Sequence, residues 1–535
     1  VTNIEKIQKN LMNIEKRAEK VDDAKLKETF VNATPLLDVV STSHNQIIFG
    51  RRGTGKTHLL KYISDLMREN GDLDVYIDLR TVGSNGSIYN DENLSTSERA
   101  TPLLLDVLQN IHDSLLGIIV SDEMYDLGKL GPLLDAFADS CSAVKVVGTV
   151  ETYEEKMNDT KQEDKLSLGA NADFKSSSLK GGFSSTETIN KSEKKTEKKT
   201  GSQRYYVNFG DVQRTLKNII NTIHGKKIYV FLDEWSEVPI ILQPYLADLI
   251  RRCIIPLKNI TVKIAAIEHR SNLSISKGNG EYIGLELGAD IGGDVSLDDF
   301  MVFDNDSKRS VQFFSDLLFK HYKASIEENE KISNSVDFIQ ALFTQNSAFE
   351  EFVRSCEGVP RDAVYMISMA ARKAFNRTIN IHDIRIVARD WYSRDKSQIL
   401  RTMPALNDLL TWIIEEVIGK RRSRAFLLKT NERHKLIDSL FDARLIHILK
   451  KNISSNDTPG VRYDVYKLDY GCYVDLISSS KAPRGLLLQG DTPENIEDDG
   501  EFESFNHLDV PPDDYRSIRR AILDLSKFDS HAEQA

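Results

Sequence analysis

Residues Gly50 to Thr57 read GRRGTGKT, a string that fits a phosphate-binding loop at every fixed position. Gly50, Gly53 and Gly55 let the backbone turn tightly and aim its N–H groups at phosphate oxygens. Lys56 brings a point charge for the β- and γ-phosphates, and the Thr57 hydroxyl suits Mg²⁺. Arg51, Arg52, Thr54 and His58 complete the stretch expected to touch nucleotide. Such a loop constrains the fold, because it follows a buried strand and opens a helix. Both are legible. Gln46–Phe49 is short and largely apolar, and Leu59, Leu60, Ile63, Leu66 and Met67 recur at helical spacing. The expected ligand is ATP with Mg²⁺.

Further segments extend the pattern. LDVYIDLR (Leu73–Arg80), KIYVFLDE (Lys227–Glu234) and ITVKIAAIEHR (Ile260–Arg270) read as buried strands, with helical stretches between them. One of these helices is expected from Thr101 to Ile119, with Pro102 in its first turn. Alternation of this kind predicts a parallel α/β sheet. IYVFLDE places Asp233 and Glu234 at the carboxyl end of a strand, where open α/β sheets hold their ligands. Asp233 suits Mg²⁺, while Glu234 suits orienting and deprotonating an attacking water. A strand that merely ends at the surface gives the same local string.

Two arginines carry alternatives. Arg270, ending its strand at the same sheet edge, would stabilise charge on the γ-phosphoryl group, in its own subunit or across a subunit boundary. A surface salt bridge is the plainer reading. Arg361 follows Pro360, which starts a helix in GVPRDA. A cation there opposes the helix dipole and calls for an anion, either nucleotide phosphate or Asp362. Glu268 and His269 share the edge with Arg270, and Arg251 with Arg252 is an alternative arginine pair that an amphipathic surface helix explains equally well.

At 535 residues the chain is too long for one core. Residues 1–30 read as an N-terminal amphipathic helix and 31–305 as the nucleotide-binding domain. An insertion at 143–208 carries a hairpin and a flexible tip, plain disorder being the alternative. Residues 306–400 are helical, and 401–477 combine helices with a closing β-ribbon, a winged-helix pattern. In that unit Leu436 to Leu449 is expected to be helical and the segment VRYDVYKLDYGCYVDLI to form two strands. The stretch 478–535 is an acidic tail ending in a short helix, DDYRSIRRAILDLS. No run of 18 apolar residues predicts a membrane span. The four cysteines lack metal-ligand or disulfide spacing, which suits a reducing cytoplasm. A net charge of −11 opposes non-specific coating of nucleic acid but leaves a local basic face open.

In this order, GRRGTGKTH, VFLDEW, IAAIEHR, GVPRDA and then a winged helix, the chain resembles AAA+ ATPases. Among them it looks most like the clade of origin-recognition initiators and STAND ATPases. The resemblance implies a parallel-sheet nucleotide domain with a helical lid, and it implies ATP hydrolysis driving a homo-oligomerising switch that reports to a partner protein. It places Arg270 at the sensor-1 position and Arg361 at the sensor-2 position. Chains of this general plan also occur in bacterial phage-defence systems, so that role is implied as well. The alternative is a DNA-binding initiator or loader. There, Arg421–Arg424, Arg433, His434, Lys435, Lys450 and Lys451 would contact DNA backbone; otherwise the winged helix packs on the nucleotide domain.

Overall fold

The computed structural model describes residues 3–532 apart from 18–20, 33–34, 83–93, 142–143, 148–149, 154–195, 200–201, 206, 224, 279, 301–305, 327–331, 422, 431–433, 455–459 and 478–520. In chain order the strands of the nucleotide domain are β1 (Gln46–Phe49), β2 (Leu73–Asp78), β3 (Val144–Val147), β4 (Val150–Tyr153), β5 (Thr196–Lys199), β6 (Ser202–Tyr205), β7 (Ile228–Asp233), β8 (Ile260–Ala266), β9 (Ser274–Gly278), β10 (Glu281–Gly284) and β11 (Gly292–Ser296). Five of them form a parallel sheet in the order β11-β1-β8-β7-β2. The helix Lys56–Glu69 leaves the loop after β1. Strands buried on both faces read as continuous apolar runs, and their side chains divide between two cores by parity. Ile47, Val230, Leu232 and Ile264 pack under the helices Thr96–Ser121 and Phe209–Thr222. Ile48, Tyr229, Phe231 and Ala265 pack with Leu60 and Ile63 of the loop helix.

Register fixes the chemistry-bearing edge. Asp78 of β2 lies beside Asp233 of β7, and Phe49 of β1 lies beside Ala266 of β8. The carboxyl ends of these strands therefore meet at the residues that precede Gly50, follow Asp78, include Asp233 and follow Ala266.

The lid consists of the helices Ser307–Lys323, Ser335–Leu342, Asn346–Ser355, Pro360–Lys373 and Ile381–Trp391 around a core that includes Phe314, Phe338, Phe352 and Ile367. Beyond it come helix Pro404–Ile414, β12 (Ala425–Lys429), helix Lys435–Asp442, β13 (Ile446–Ser454) and β14 (Arg462–Leu468), with sheet order β12-β14-β13 and all pairings antiparallel. The α/β class expected from the sequence, a parallel-sheet nucleotide domain with a helical lid and a C-terminal winged helix, is the architecture observed.

Several local expectations are corrected. The N-terminal stretch is two helices, Asn3–Met12 and Asp23–Thr29. The first joins the lid core through Ile7 and Leu11. There the buried Gln8 amide bonds Ala374 O at 2.9 Å and Arg377 O at 2.8 Å. The helix expected at Thr101 begins at Thr96, because Ser95 and Glu98 form a capping box. Pro102 is consequently inside the helix rather than in its first turn. This helix is long and apolar enough to cross a membrane by length and composition, but Leu103, Val107, Leu108, Ile111 and Leu115 spend its apolar stripe on the sheet core. The strand expected to reach Arg270 stops at Ala266 and is followed by a 3₁₀ turn, Glu268–Arg270. Helix Leu127–Cys141 and strands β9 to β11 were not legible at all.

In the winged helix the apolar run Leu436–Leu449 divides. Arg444 adopts φ 63°, Arg444 N–H bonds Phe441 O, and Leu445 N–H bonds Leu440 O. That left-handed cap ends the helix at Asp442 and turns the remaining residues into β13. Likewise Tyr470–Ile477 is a helix rather than a second strand. The insertion contributes two antiparallel pairs, β3 with β6 and β4 with β5; its expected tip, 154–195, lies outside the described residues, as does most of DDYRSIRRAILDLS. The end of the tail forms helix Ser526–Ala532 instead, with Leu523 and Phe528 in the winged-helix core.

Candidate nucleotide site

The loop after β1 takes the conformation its glycines permit. Gly53 and Gly55 have φ of +93° and +96°, in the left-handed region. A Cβ on Gly53 would also stand 2.9 Å from Arg361 Cβ, because the lid helix docks here, with Arg361 N–H donating to Gly53 O at 3.1 Å. Lys56 is buried, and its ammonium donates to Gly50 O at 2.8 Å and Arg51 O at 3.1 Å. Burial lowers the Lys56 pKa from its ordinary value although Glu234 and Asp233 oppose the shift.

Lys56, Thr57, Glu234 and Arg361 line one cleft of about 340 Å³ between the loop, β7, the lid and the N-terminal segment. Arg52, Gly53, Gly55 and His58 line it too. His58 Nε2 lies 2.6 Å from Leu26 O and its ring meets Phe30 edge-on, so it braces the short helix Asp23–Thr29 over the cleft. Burial holds His58 below its ordinary pKa and pushes His321, on the lid helix Ser307–Lys323, down to about 4. Arg361 forms no ion pair among the described residues. Asp362, its alternative anion, is taken by Lys396 at 3.2 Å and by Arg444.

Asp233 and Glu234 differ sharply in environment. Asp233 is 0% exposed; its carboxylate accepts from Tyr76 OH at 2.7 Å and from Glu234 N–H at 2.8 Å. Glu234 has φ 56°, a strained value for a non-glycine residue. Burial raises its carboxyl pKa, Asp233 adds to the shift, and Lys56 and Arg80 oppose it. Arg80 Nη1 stands 3.9 Å from Glu234 Oε1 while pairing mainly with Asp78. Tyr76 and Arg80 are site residues that nothing in the local string singles out. Among the described residues no cluster of three His, Cys, Asp or Glu side chains could hold a metal alone.

Two expected nucleotide contacts are placed elsewhere. Arg270 is absent from the cleft wall; its guanidinium pairs with Asp442 of the winged helix at 2.6 Å. β8 ends at Ala266, and Arg270 sits in the 3₁₀ turn that follows. Arg51, 2% exposed, faces away from the cleft. Its Nε donates to Asp298 at 2.6 Å, its guanidinium lies 4.3 Å from the centre of the Phe441 ring, and Nη1 reaches His447 Nδ1 at 3.0 Å. Thr54 donates to Arg51 O at 2.9 Å, a brace within the loop. Glu268 pairs with Lys451 and His269 with Asp438, while Arg251 and Arg252 both hold Asp248.

The winged helix is therefore clasped to the nucleotide domain. Behind the clasp lies a buried charge network. Lys396 bridges Asp362 and Asp469, and Asp469 also faces His447 Nε2 at 3.0 Å. Glu357 pairs with Arg424 and with Lys467 at 2.7 Å. Burial holds His447 well below its ordinary pKa, leaving the ring neutral. Several candidate DNA contacts are used up internally. Arg424 is buried on Glu357, Arg421 donates to Ile522 O, Lys451 pairs with Glu268 and His434 with Asp529. Arg422 and Arg433 lie outside the described residues.

Residues 15–83 match the family model described as ORC-CDC6-like. The expected likeness to origin-recognition proteins is met over that segment, which carries the loop and the first two strands. No curated protein matches in sequence. Among solved structures the chain is similar to the Cdc6p protein of Pyrobaculum aerophilum, at 10% identity over 85% of this chain and 96% of that one, with a TM-score of 0.32. It is also similar to the Orc1 protein of Aeropyrum pernix, solved in complex with DNA, at 14% identity over 85% of this chain and 92% of that one, with a TM-score of 0.30.

Proposed function

We propose that this chain binds ATP with Mg²⁺ in the cleft, hydrolyses it, and passes the nucleotide state to the clasped winged helix. The observation that carries this reading is the convergence of Lys56, Thr57, Glu234 and Arg361 on one cleft. Lys56 would leave its two loop carbonyls for the β- and γ-phosphates, and Arg361 would neutralise the γ-phosphate. Thr57 would hold Mg²⁺ with Asp233 behind it, and Glu234 would take the proton from the attacking water. Mg²⁺ supplies charge neutralisation on the phosphates. Arg51 and Arg270 belong to the clasp instead: both join nucleotide-domain turns to the winged helix.

The switch reading extends to association with further copies and a partner protein, and to the phage-defence role that the family resemblance implies. A second reading, DNA contact through 401–477, keeps two exposed candidates among the described residues, Lys435 and Lys450. Lys451 would have to leave Glu268 first.

The test is a calorimetric titration of the purified chain with Mg·ATP, beside Lys56→Met. The wild type is expected to saturate at one nucleotide per chain. Lys56→Met should bind at least about tenfold more weakly, the loss of a charge-assisted phosphate contact being worth roughly 1.5–3 kcal/mol. Equal binding by both proteins would remove the cleft as the nucleotide site.

A further inference from the structure

Gln243 opens the helix Gln243–Leu249, the next helix after the turn that follows Glu234, and is 0% exposed. A buried carboxamide has two donor hydrogens and an oxygen with two acceptor positions. Gln243 uses all of them. Nε2 donates to Val238 O at 2.9 Å and Arg270 O at 3.0 Å, with Trp235 O further off at 3.4 Å. Oε1 accepts from Asn272 N–H at 2.7 Å and from Trp235 Nε1 at 3.2 Å. One side chain thus joins two turns. The first is the 3₁₀ turn Trp235–Glu237, which begins immediately after Glu234. The second is the turn Glu268–Arg270, on which the winged helix docks. Ser236 adds a second tie, its Oγ accepting from Ile267 N–H at 2.8 Å.

The backbone at Glu234 needs such support. Its left-handed φ of 56° is held by Glu237 N–H bonding Glu234 O at 2.9 Å, inside the turn that Gln243 anchors. We infer that Gln243, assisted by Ser236, is the positioning residue that keeps the Glu234 carboxylate aimed at the attacking water. It is also the physical link by which a shift of the winged helix on Glu268–Arg270 reaches Glu234. Gln243 touches no substrate and acts only through these turns. A displacement of about 1 Å at a general base can cost about a hundredfold in rate, and the loss of the ties to the Val238, Arg270 and Asn272 backbone is large enough to produce one.

This inference rests on the hydrolysis reading, and the experiment separates the two. Steady-state kcat and KM for Mg·ATP, with direct nucleotide titration, are measured for wild type, Gln243→Leu, Ser236→Ala, Glu234→Gln and the double variant Glu234→Gln/Gln243→Leu. Gln243→Leu should lower kcat by about ten- to a hundredfold with nucleotide affinity within about twofold of wild type. In the Glu234→Gln background the same change should lower residual turnover no further, because the group being positioned is already gone. A purely structural role would instead weaken nucleotide binding, or would cut the residual turnover of Glu234→Gln as well; either result overturns the inference. If Gln243→Leu does not fold, Ser236→Ala carries the same comparison, with a smaller fall in kcat expected and an unchanged kcat overturning it. If Glu234→Gln itself leaves turnover intact, the hydrolysis reading fails rather than the role of Gln243 alone.

Discussion

Glu234→Gln is expected to reduce ATP turnover by roughly 10²–10⁴-fold, the usual contribution of a general base, while leaving Mg·ATP affinity close to wild type. The substitution keeps the shape of the side chain and removes only its ability to accept a proton, so a loss confined to kcat identifies the base. The pH profile supplies an independent signature. Burial and the neighbouring Asp233 raise the Glu234 pKa above its ordinary 4.5. A base works only when ionised, so activity is present above that raised value and lost as pH falls through it. The acid limb of kcat/KM should therefore lie above 4.5 and should vanish from the residual activity of Glu234→Gln. A limb at or below the ordinary value, or one that survives the substitution, would assign the base elsewhere.

Lys396→Met is expected to destabilise the protein by about 3–5 kcal/mol, because it leaves two fully buried carboxylates without their shared cation. Asp362 and Asp469 are both 0% exposed, and Lys396 stands between them. Burial works to lower the Lys396 pKa, but the two aspartates outweigh it and hold the ammonium above its ordinary value. The sign follows directly. A lysine whose pKa is higher folded than unfolded contributes its stabilisation fully below the unfolded value, about 10.4, and loses it as pH rises through the folded value. Denaturant unfolding of wild type and variant should accordingly show a nearly constant difference across roughly pH 6–9. The winged helix should separate from the lid first, since this network joins them. A difference below about 1 kcal/mol would mean that the pair behaves like a solvated surface bridge.

How much of this was legible depended on whether the signal was local. GRRGTGKT is a fixed-spacing motif whose glycines answer to backbone φ, so its conformation and its place between β1 and a helix could be read from the string. Asp233 and Glu234 were legible as the end of a fully buried strand. The place of Arg270 was not legible, because Ile267 continues the apolar run past the end of the strand. β8 closes at Ala266, and what holds Arg270 is Asp442, distant in sequence. The same limitation hid Arg51, whose string position fits a phosphate loop while Asp298, Phe441 and His447 claim its side chain. Leu436–Leu449 satisfied helical spacing throughout, and only the left-handed Arg444 reveals where it becomes a strand. β11 reads GGDVS, a poor strand former that is ordered by pairing along β1. Gln243 carried no signal, since its role consists of bonds to two separate turns.

The clasp and the cleft meet in one peptide. Arg51 O accepts the Lys56 ammonium and the Thr54 hydroxyl, while the Arg51 side chain holds the winged helix. A γ-phosphate that draws Lys56 away removes one of those bonds, so nucleotide state should be felt at helix Lys435–Asp442. Hydrogen exchange of that helix and of β13 measures this directly, on the protein alone, with Mg·ADP, and with Mg·ATP in Glu234→Gln to hold the triphosphate. The expected result is lower protection of Lys435–Asp442 with Mg·ATP than with Mg·ADP. Identical protection in all three states, at saturating nucleotide, would contradict a switch read out through the winged helix.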